Sequence, residues 1–456
     1  MIHPARIKSL ADHPPRCNHK YVLYWMQQSQ RTYFNHALEY AIARANEVKL
    51  PLVVCFGLMD DYPEANARHY FFMLQGLADV AGNLKKRDIR FVLKHGHPSE
   101  VAAHYAEHAA LVVADRGYLR HQKKWREELA AECNKNSTPL FQVQSDAVVP
   151  VEVASNKREY AARTLRPKIH RHLAEYLQPL KPKKVAHSSL KLKITGDLDP
   201  LKPEANLAKL KLDRSIAPVP QFFAGGENAA NDRLAAFIKN RLATYASDRN
   251  EPAGDATSHL SPYLHFGQIS PIEIALRARE ANKDAAVYLE ELIVRRELSF
   301  NYCEFTENYD SYDALPAWAK QTLKDHADDD RPHLYTEQQL QSAATADPYW
   351  NAAQREMNAT GFMHNYMRMY WGKRILEWCK SPQQAYETTL KLNNKLFLDG
   401  RDPNSFAAVA WIYGLHDRPW GPARKIFGTV RYMNAAGLKR KFDMDAYIAR
   451  VDALYR

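Results

Sequence analysis

The strongest constraint on the fold lies in the first 150 residues. Short apolar, β-prone runs recur there: "YVLYWM" (21–26), "PLVVCFG" (51–57), "RFVLK" (90–94) and "ALVVAD" (110–115). Between them lie stretches of helical period, such as "TYFNHALEYAIARANEV" and "RHYFFMLQGLADVAGNLKKR". A strand buried on both faces reads as an unbroken apolar run. Strand and helix alternating in this rhythm predict a doubly wound parallel sheet, Rossmann-like, with helices on both sides.

Past residue 150 the pattern changes. Residues 155 to 184 carry nine Lys/Arg against two Glu, and residues 185 to 230 decay into Pro, Ser, Gly and Asn. From 231 onward helical periods dominate. The predicted organisation is an α/β domain over 17–184, a linker over 185–230, and an all-helical domain over 231–456. A chain of 456 residues is long enough for two such cores.

Charge narrows the partners. The net charge is +11, which favours polyanions and nucleic acid first. No apolar run approaches the ~18 residues that cross a bilayer. Five scattered cysteines without a CxxC pair read as reduced thiols in a cytoplasm. No GxGxxG, GxxxxGK[ST], GxSxG or HExxH is present. His104 and His108 lack a nearby third ligand, so a surface pair is expected and no metal site.

Five stretches stand out. "GDATSHLSPYLHFGQISP" (254–271) sets Thr257, Ser258 and Ser261 around Pro262, at a helix start that suits a phosphate or a plain cap. "YLEELIVRRELSFNY" (288–302) holds Glu290, Glu291 and Arg295 among aliphatics. Glu291 and Arg295 are spaced as i, i+4 partners, and the alternative is a pocket carboxylate. "LNNKLFLDGRDPNSFAAVAWIYG" (392–414) offers Asn393, Asn394, Asp399, Asp402 and Asn404 before an apolar helix with Trp411. "GLHDRPWGPARKIFGTVRYMN" (414–434) interleaves Arg418, Arg424 and Arg431 with Trp420 and Phe427, which suits phosphate contacts and base stacking. "MRMYWGKRILEWCK" (367–380) puts Trp371 and Trp378 about two helical turns apart, ~10 Å along the axis. Core packing is the plain reading of that pair.

Together with "YWMQQSQR", "PEANARHYFFMLQGL" and "VASNKREYAARTLRPKI", these segments resemble the class II cyclobutane pyrimidine dimer photolyases over nearly the whole chain. The resemblance implies a DNA-repair lyase: light drives one electron from reduced FAD into a dimer flipped out of the duplex, and the dimer splits. It implies that FAD lies in the helical domain near Tyr245, Thr257, Ser258, His259, Leu260, Ser261, Arg295, Asp399 and Asp402, with Asn393 or Asn394 facing flavin N5. Glu291 would hydrogen-bond the dimer, Met369 and Trp411 would wall its pocket, and Arg418, Trp420, Arg424 and Arg431 would contact DNA. Trp350, Trp371 and Trp378 would relay electrons to the flavin. A deazaflavin-type antenna in the α/β domain and a monomeric state are further expectations, and a cryptochrome-like photoreceptor is the alternative. The sequence departs from the wider pattern at Val294, where other photolyase classes carry a tryptophan, and at "WGPAR" (420–424).

Overall fold

The computed structural model describes every residue except Met1, Cys17, Asn282 and Lys283. Cys17, the expected start of the α/β domain, therefore lies outside the described residues. The chain forms two compact units that interleave along the sequence. The first comprises residues 1–156, 167–236 and 259–282, and the second 157–166, 237–258 and 283–456.

The first unit is built on a six-stranded sheet: β1 (Ile7–Ala11), β2 (Tyr21–Trp25), β3 (Leu52–Leu58), β4 (Arg90–His95), β5 (Ala109–Asp115) and β6 (Leu140–Val143). The strand order is β1-β6-β5-β2-β3-β4. All pairs are parallel except β1 with β6. Helices α1 (His36–Glu47), α2 (Ala67–Lys86), α3 (Pro98–Ala106) and α4 (Arg120–Lys135) cover it. Period two sorts the strand residues between two cores. Val22, Tyr24, Val54 and Val113 pack with Leu38 and Ile42 of α1 and Leu77 of α2. Leu23, Trp25, Cys55 and Val112 pack with Tyr105 of α3 and with Trp125 and Leu129 of α4. The four sequence-predicted strands are present. The two at one side of the sheet, β1 and β6, were not anticipated: β1 is half-exposed and β6 has four residues.

In open α/β sheets the carboxyl ends of the strands at the switch point usually receive a ligand phosphate. Here that position beside β2 and β5 holds Asp115, whose carboxylate accepts the N–H groups of Gln27 (3.0 Å), Gln28 (3.0 Å) and Ser29 (2.8 Å) and the Tyr24 hydroxyl (3.0 Å). A side chain takes the acceptor's place that a glycine-rich loop would offer to phosphate.

Residues 185–230, expected to be a linker, belong with the first unit. The stretch 188–198 lies along the outer edge of β4. Leu198 bridges Leu93, Ser189 N–H donates to Asp88 O (3.1 Å), and a Cβ on Gly196 would collide with Leu93 O. A strap of this kind covers an edge strand that would otherwise pair with another chain.

The second unit contains no named strand among its described residues. Its central helices are α5 (Pro348–Thr360), α6 (Asn365–Trp378), α7 (Pro382–Leu396) and α8 (Pro403–Ile412). A π-helical turn spans Glu290–Arg295. Among the described residues, no helix is long and apolar enough to cross a membrane.

Candidate functional site

Three indoles form the centre of the second unit. Trp371 on α6 stacks on Trp350 of α5 with centroids 6.4 Å apart and planes 8° apart. Trp350 in turn meets Trp378 edge-on at 5.3 Å and 72°. The helical spacing aligned Trp371 with Trp378, and the structure adds that Trp350, from the neighbouring helix, stands between them. Asp347 caps α5 by accepting from Tyr349 and Trp350 N–H, both at 3.1 Å, which fixes the indole's helix. Trp350 Nε1 donates to Trp371 O (2.9 Å) and Trp371 Nε1 to Gln354 Oε1 (2.8 Å). All three rings are buried. Trp378, the outer member, is thus not itself at the surface. The Tyr335 ring at 5.1 Å and the Arg374 guanidinium at 4.7 Å cover it.

The inner end leads to the Asn/Asp loop. Trp371 leans on Phe397 at 6.2 Å. Arg368 of α6 stacks on the same phenyl at 4.0 Å and grips Asp399 with two bonds, 3.0 and 3.1 Å. A bidentate guanidinium–carboxylate pair fixes orientation as well as charge. Asn394 Oδ1 accepts from Arg401 N–H (3.0 Å) and from Asn393 Nδ2 (3.0 Å), while Asn393 also donates to Ser405. Gly400 allows the loop to touch α7: a Cβ there would lie 2.8 Å from Asn393 O. Asp402 caps α8 through Asn404 N–H at 2.8 Å. Indole column, phenyl, ion pair and buried amides therefore form one neighbourhood.

A second polar group surrounds Glu291. Its carboxylate pairs with Arg249 at 2.9 Å, and Arg249 lies over Tyr245 at 5.7 Å. Of the two readings of Glu291, the i, i+4 pair with Arg295 does not form. The π turn brings i and i+5 into register instead, so Arg295 meets Glu290 at 3.5 Å. Arg295 also stacks over Trp411 of α8 at 5.4 Å, which sets it with the expected lesion wall rather than with Asp399. Val294 is buried. Burial alone would lower the Arg249 pKa, but Glu291 and Tyr245 outweigh it and hold the guanidinium above its ordinary value. Tyr245 meets Tyr288 edge-on at 5.2 Å, and Tyr288 bonds Ser258.

The helix that follows Thr257 and Ser258 is only Ser261–His265, capped by Leu260 without a side-chain bond. The hydroxyls are therefore not spent on capping it. His259 has φ +52, and it, Leu260 and Ser261 are counted with the first unit. Met369 and Trp411 are half-buried on α6 and α8.

The basic loop 414–434 is held rigidly without regular secondary structure. Trp420 N–H donates to Thr429 O (2.8 Å), and Arg424 and Gly428 exchange backbone bonds at 2.9 and 2.7 Å. Ile426, at φ +68, donates its N–H to Asp329 (2.7 Å). Gly428 has φ +50, and a Cβ there would strike Thr322 Oγ1. Asp417 accepts from the Trp420 indole (3.0 Å) and pairs with Arg431 (3.4 Å). Arg418 and Arg431 cover the Trp420 ring at 5.2 and 4.3 Å. Arg424 lies over Tyr432 at 5.0 Å. Arg418, Trp420, Arg424 and Arg431 are all exposed.

Comparison with known proteins agrees with this architecture. The family described as DNA photolyase matches residues 22–185. A deoxyribodipyrimidine photo-lyase of Methanothermobacter thermautotrophicus is 49% identical over 454 residues, 100% of this chain and 99% of the relative. The chain belongs to the DNA photolyase family. An Arabidopsis thaliana deoxyribodipyrimidine photo-lyase is 40% identical, over 95% of this chain and 89% of its own. Among solved structures, a class III photolyase from Agrobacterium tumefaciens superposes with TM-score 0.72 at 20% identity, covering 95% of this chain and 86% of the other. A Sulfolobus tokodaii photolyase, described with two FAD molecules and a novel light-harvesting cofactor, gives 0.70 at 15%, with coverage of 94% and 89%.

For a photolyase, several neighbours of these groups matter that sequence reasoning passed over. Arg249 carried no signal, because its partner is 42 positions away. Arg368 stood in the tryptophan stretch as one basic residue among four. Gln354 and Asp417 are single polar residues whose importance comes only from what they face.

Proposed function

We propose that this chain is a class II photolyase that splits cyclobutane pyrimidine dimers in DNA under blue light, with FAD held in its helical unit. The observation that carries the reading is the continuity from Trp378 through Trp350 and Trp371 to Phe397 and the Asp399 loop. An indole column serves packing in any core. One that ends against a bidentate ion pair and two buried amides is suited to feed electrons to a group seated there.

FAD suits the donor set. Tyr245, Thr257 and Ser258 would offer hydroxyls to its phosphates and ribityl chain, and Asp399 and Asp402 would offer carboxylates to its ribityl and adenine side. His259, Leu260 and Ser261 continue that stretch on the strength of the resemblance. Bound FAD supplies the light absorption and the single electron. Asn393 is the better candidate to face flavin N5, because the Asn394 oxygen is already shared by Arg401 N–H and Asn393. Arg368 keeps the Asp399 carboxylate oriented.

Arg249 steadies the Glu291 carboxylate for hydrogen bonding to the dimer. Trp411 and Met369 wall the lesion, with Arg295 backing the Trp411 ring. Flipping the dimer out of the duplex costs a few kcal/mol, and flipping costs least at a damaged step. Arg418, Arg424 and Arg431 would hold phosphates, and affinity would fall as salt rises. The same reading takes the chain as a monomer in a reducing cytoplasm, and its four described cysteines are buried free thiols.

The decisive experiment incubates the purified protein with dimer-containing DNA under blue light and in darkness. Loss of dimers only in light, by a protein that carries flavin absorbance, is the expected outcome. Equal dimer content in both arms removes the proposal and favours a signalling flavoprotein of the same fold.

A further inference from the structure

Residues 157–166 belong to the helical unit although most of the chain around them does not. Residues 157–161 form no helix or strand, yet the whole segment is fastened at many points. Glu159 N–H donates to Asn301 Oδ1 (2.7 Å), and Asn301 returns a bond to Lys157 O (2.8 Å). Arg158 donates to Ala314 O (3.1 Å) and lies over Tyr302 at 5.3 Å. Arg166 makes two bonds to Glu290, 2.7 and 3.0 Å.

Tyr160 is tied to the basic loop from both ends. Its hydroxyl donates to Asp417 O (2.7 Å), and its carbonyl is bonded by His416 Nδ1 (2.7 Å). The His416 side chain is neutral, since burial pushes its pKa down to about 4, so Nδ1 carries the proton in this bond. Tyr160 nevertheless remains 52% exposed, with exposed Lys157, Arg158 and Arg163 on the same segment. The only acid among these positions, Glu159, is buried. A lone exposed ring needs no explanation. A ring locked at both ends, set among cations and joined through Asp417 to Trp420 and Arg431, is a prepaid contact surface.

We propose that segment 157–166 is a second rim of the DNA surface. Tyr160 packs against a sugar or base of the flanking duplex, and Lys157 and Arg163 hold phosphates there, outside the lesion. The inference rests on the reading that the loop 414–434 faces DNA. Phosphate contacts carry no sequence or lesion information, so this rim adds affinity to damaged and intact duplex alike.

The test measures binding of dimer-containing and intact duplex across a salt series, in darkness, for Tyr160→Ala, the double variant Lys157→Gln/Arg163→Gln, and Arg431→Gln. Thermal melts confirm folding. The double variant leaves the backbone bonds of the segment in place, so it keeps the test open if Tyr160→Ala misfolds. Tyr160→Ala is expected to weaken both duplexes about tenfold. The double variant is expected to reduce the slope of log affinity on log salt by about two, which a purely structural role would not do. Unchanged affinity and slope in these variants, with Arg431→Gln still weakened, overturns the rim. A loss confined to dimer-containing DNA also overturns it, because it puts Tyr160 at the lesion. If Arg431→Gln binds normally as well, the reading of the loop fails and the rim falls with it.

Discussion

Lys373 follows Trp371 by two positions, and it is 1% exposed. Its ammonium donates to the carbonyl of Ile412, at the C-terminal end of α8, where a cation opposes the helix dipole. The two helices approach closely at this point: a Cβ on Gly372 would lie 2.4 Å from Ile412 Cδ1. Burial pushes the Lys373 pKa down to about 7, with Asp417 resisting and Arg431 adding to the fall. The folded value thus lies below that of an exposed lysine, 10.5. Between the two, the unfolded chain binds a proton that the folded chain does not, so this group adds stability as pH rises through the window and loses it as pH falls towards 7. Going from pH 7 to 9.5, the wild type should gain about 2–3 kcal/mol relative to Lys373→Met, measured as the difference between urea unfolding curves. Parallel pH responses in the two proteins would mean that the ammonium reaches water. None of this was legible in the sequence, where Lys373 read as one of four basic residues. A lysine's burial depends on which helix crosses it, and i, i+3 and i, i+4 patterns contain no such information.

At the scale of elements, much more was legible. Strands β2, β3 and β5 were read directly because burial on both faces demands apolar residues at every position, and the edge strand β4 was read from its short apolar run, of which Val92 and Leu93 are buried. Helix α6 was read with its tryptophan column, since seven residues return a side chain to the same face. The insertion of Trp350 between Trp371 and Trp378 was not, because it depends on how α5 packs against α6. The i, i+4 reading of Glu291 with Arg295 failed for a local reason: the π turn adds one residue per turn and shifts every partner. The column itself makes a prediction at this scale. Trp378→Phe removes the outer indole, yet leaves Trp350 stacked on Trp371 and the Asp399 loop untouched. It should slow photoreduction of oxidised flavin at least tenfold while repair by enzyme reduced beforehand stays near wild type, both followed by absorbance after a light pulse. Collapse of repair in the reduced enzyme would mean that Trp378 serves the fold of the pocket and not electron supply.

For the molecule as a whole, sequence composition suggested three consecutive blocks with boundaries near 185 and 231. The contacts instead weave the chain between two units five times. Composition changes where charge and glycine content change, whereas a unit is defined by which side chains bury one another, and the two need not coincide. Residues 157–166 are the clearest case: they read as part of the α/β domain over 17–184, while their bonds run to Asn301, Glu290 and His416. This has a direct consequence for fragments. A chain cut to 231–456 keeps every residue of the expected helical domain but loses the partners of Asn301, Glu290 and His416. It also carries residues 259–282, which pack with the other unit. Stranding the buried Asn301 amide costs about 1–3 kcal/mol. The loss of the Tyr160 carbonyl at His416, a smaller loss at the partly exposed Arg166–Glu290 pair, and Ile272, Ile274 and Ala275 turned out to solvent add to this, and the sum is large against the ~5–15 kcal/mol that stabilises an ordinary domain. The fragment should therefore show helical far-ultraviolet circular dichroism with a broad melt and no fixed near-ultraviolet signal from its tryptophans. A sharp cooperative melt and native-like tryptophan signals from 231–456 alone would show that the segment 157–166 is dispensable to the helical unit.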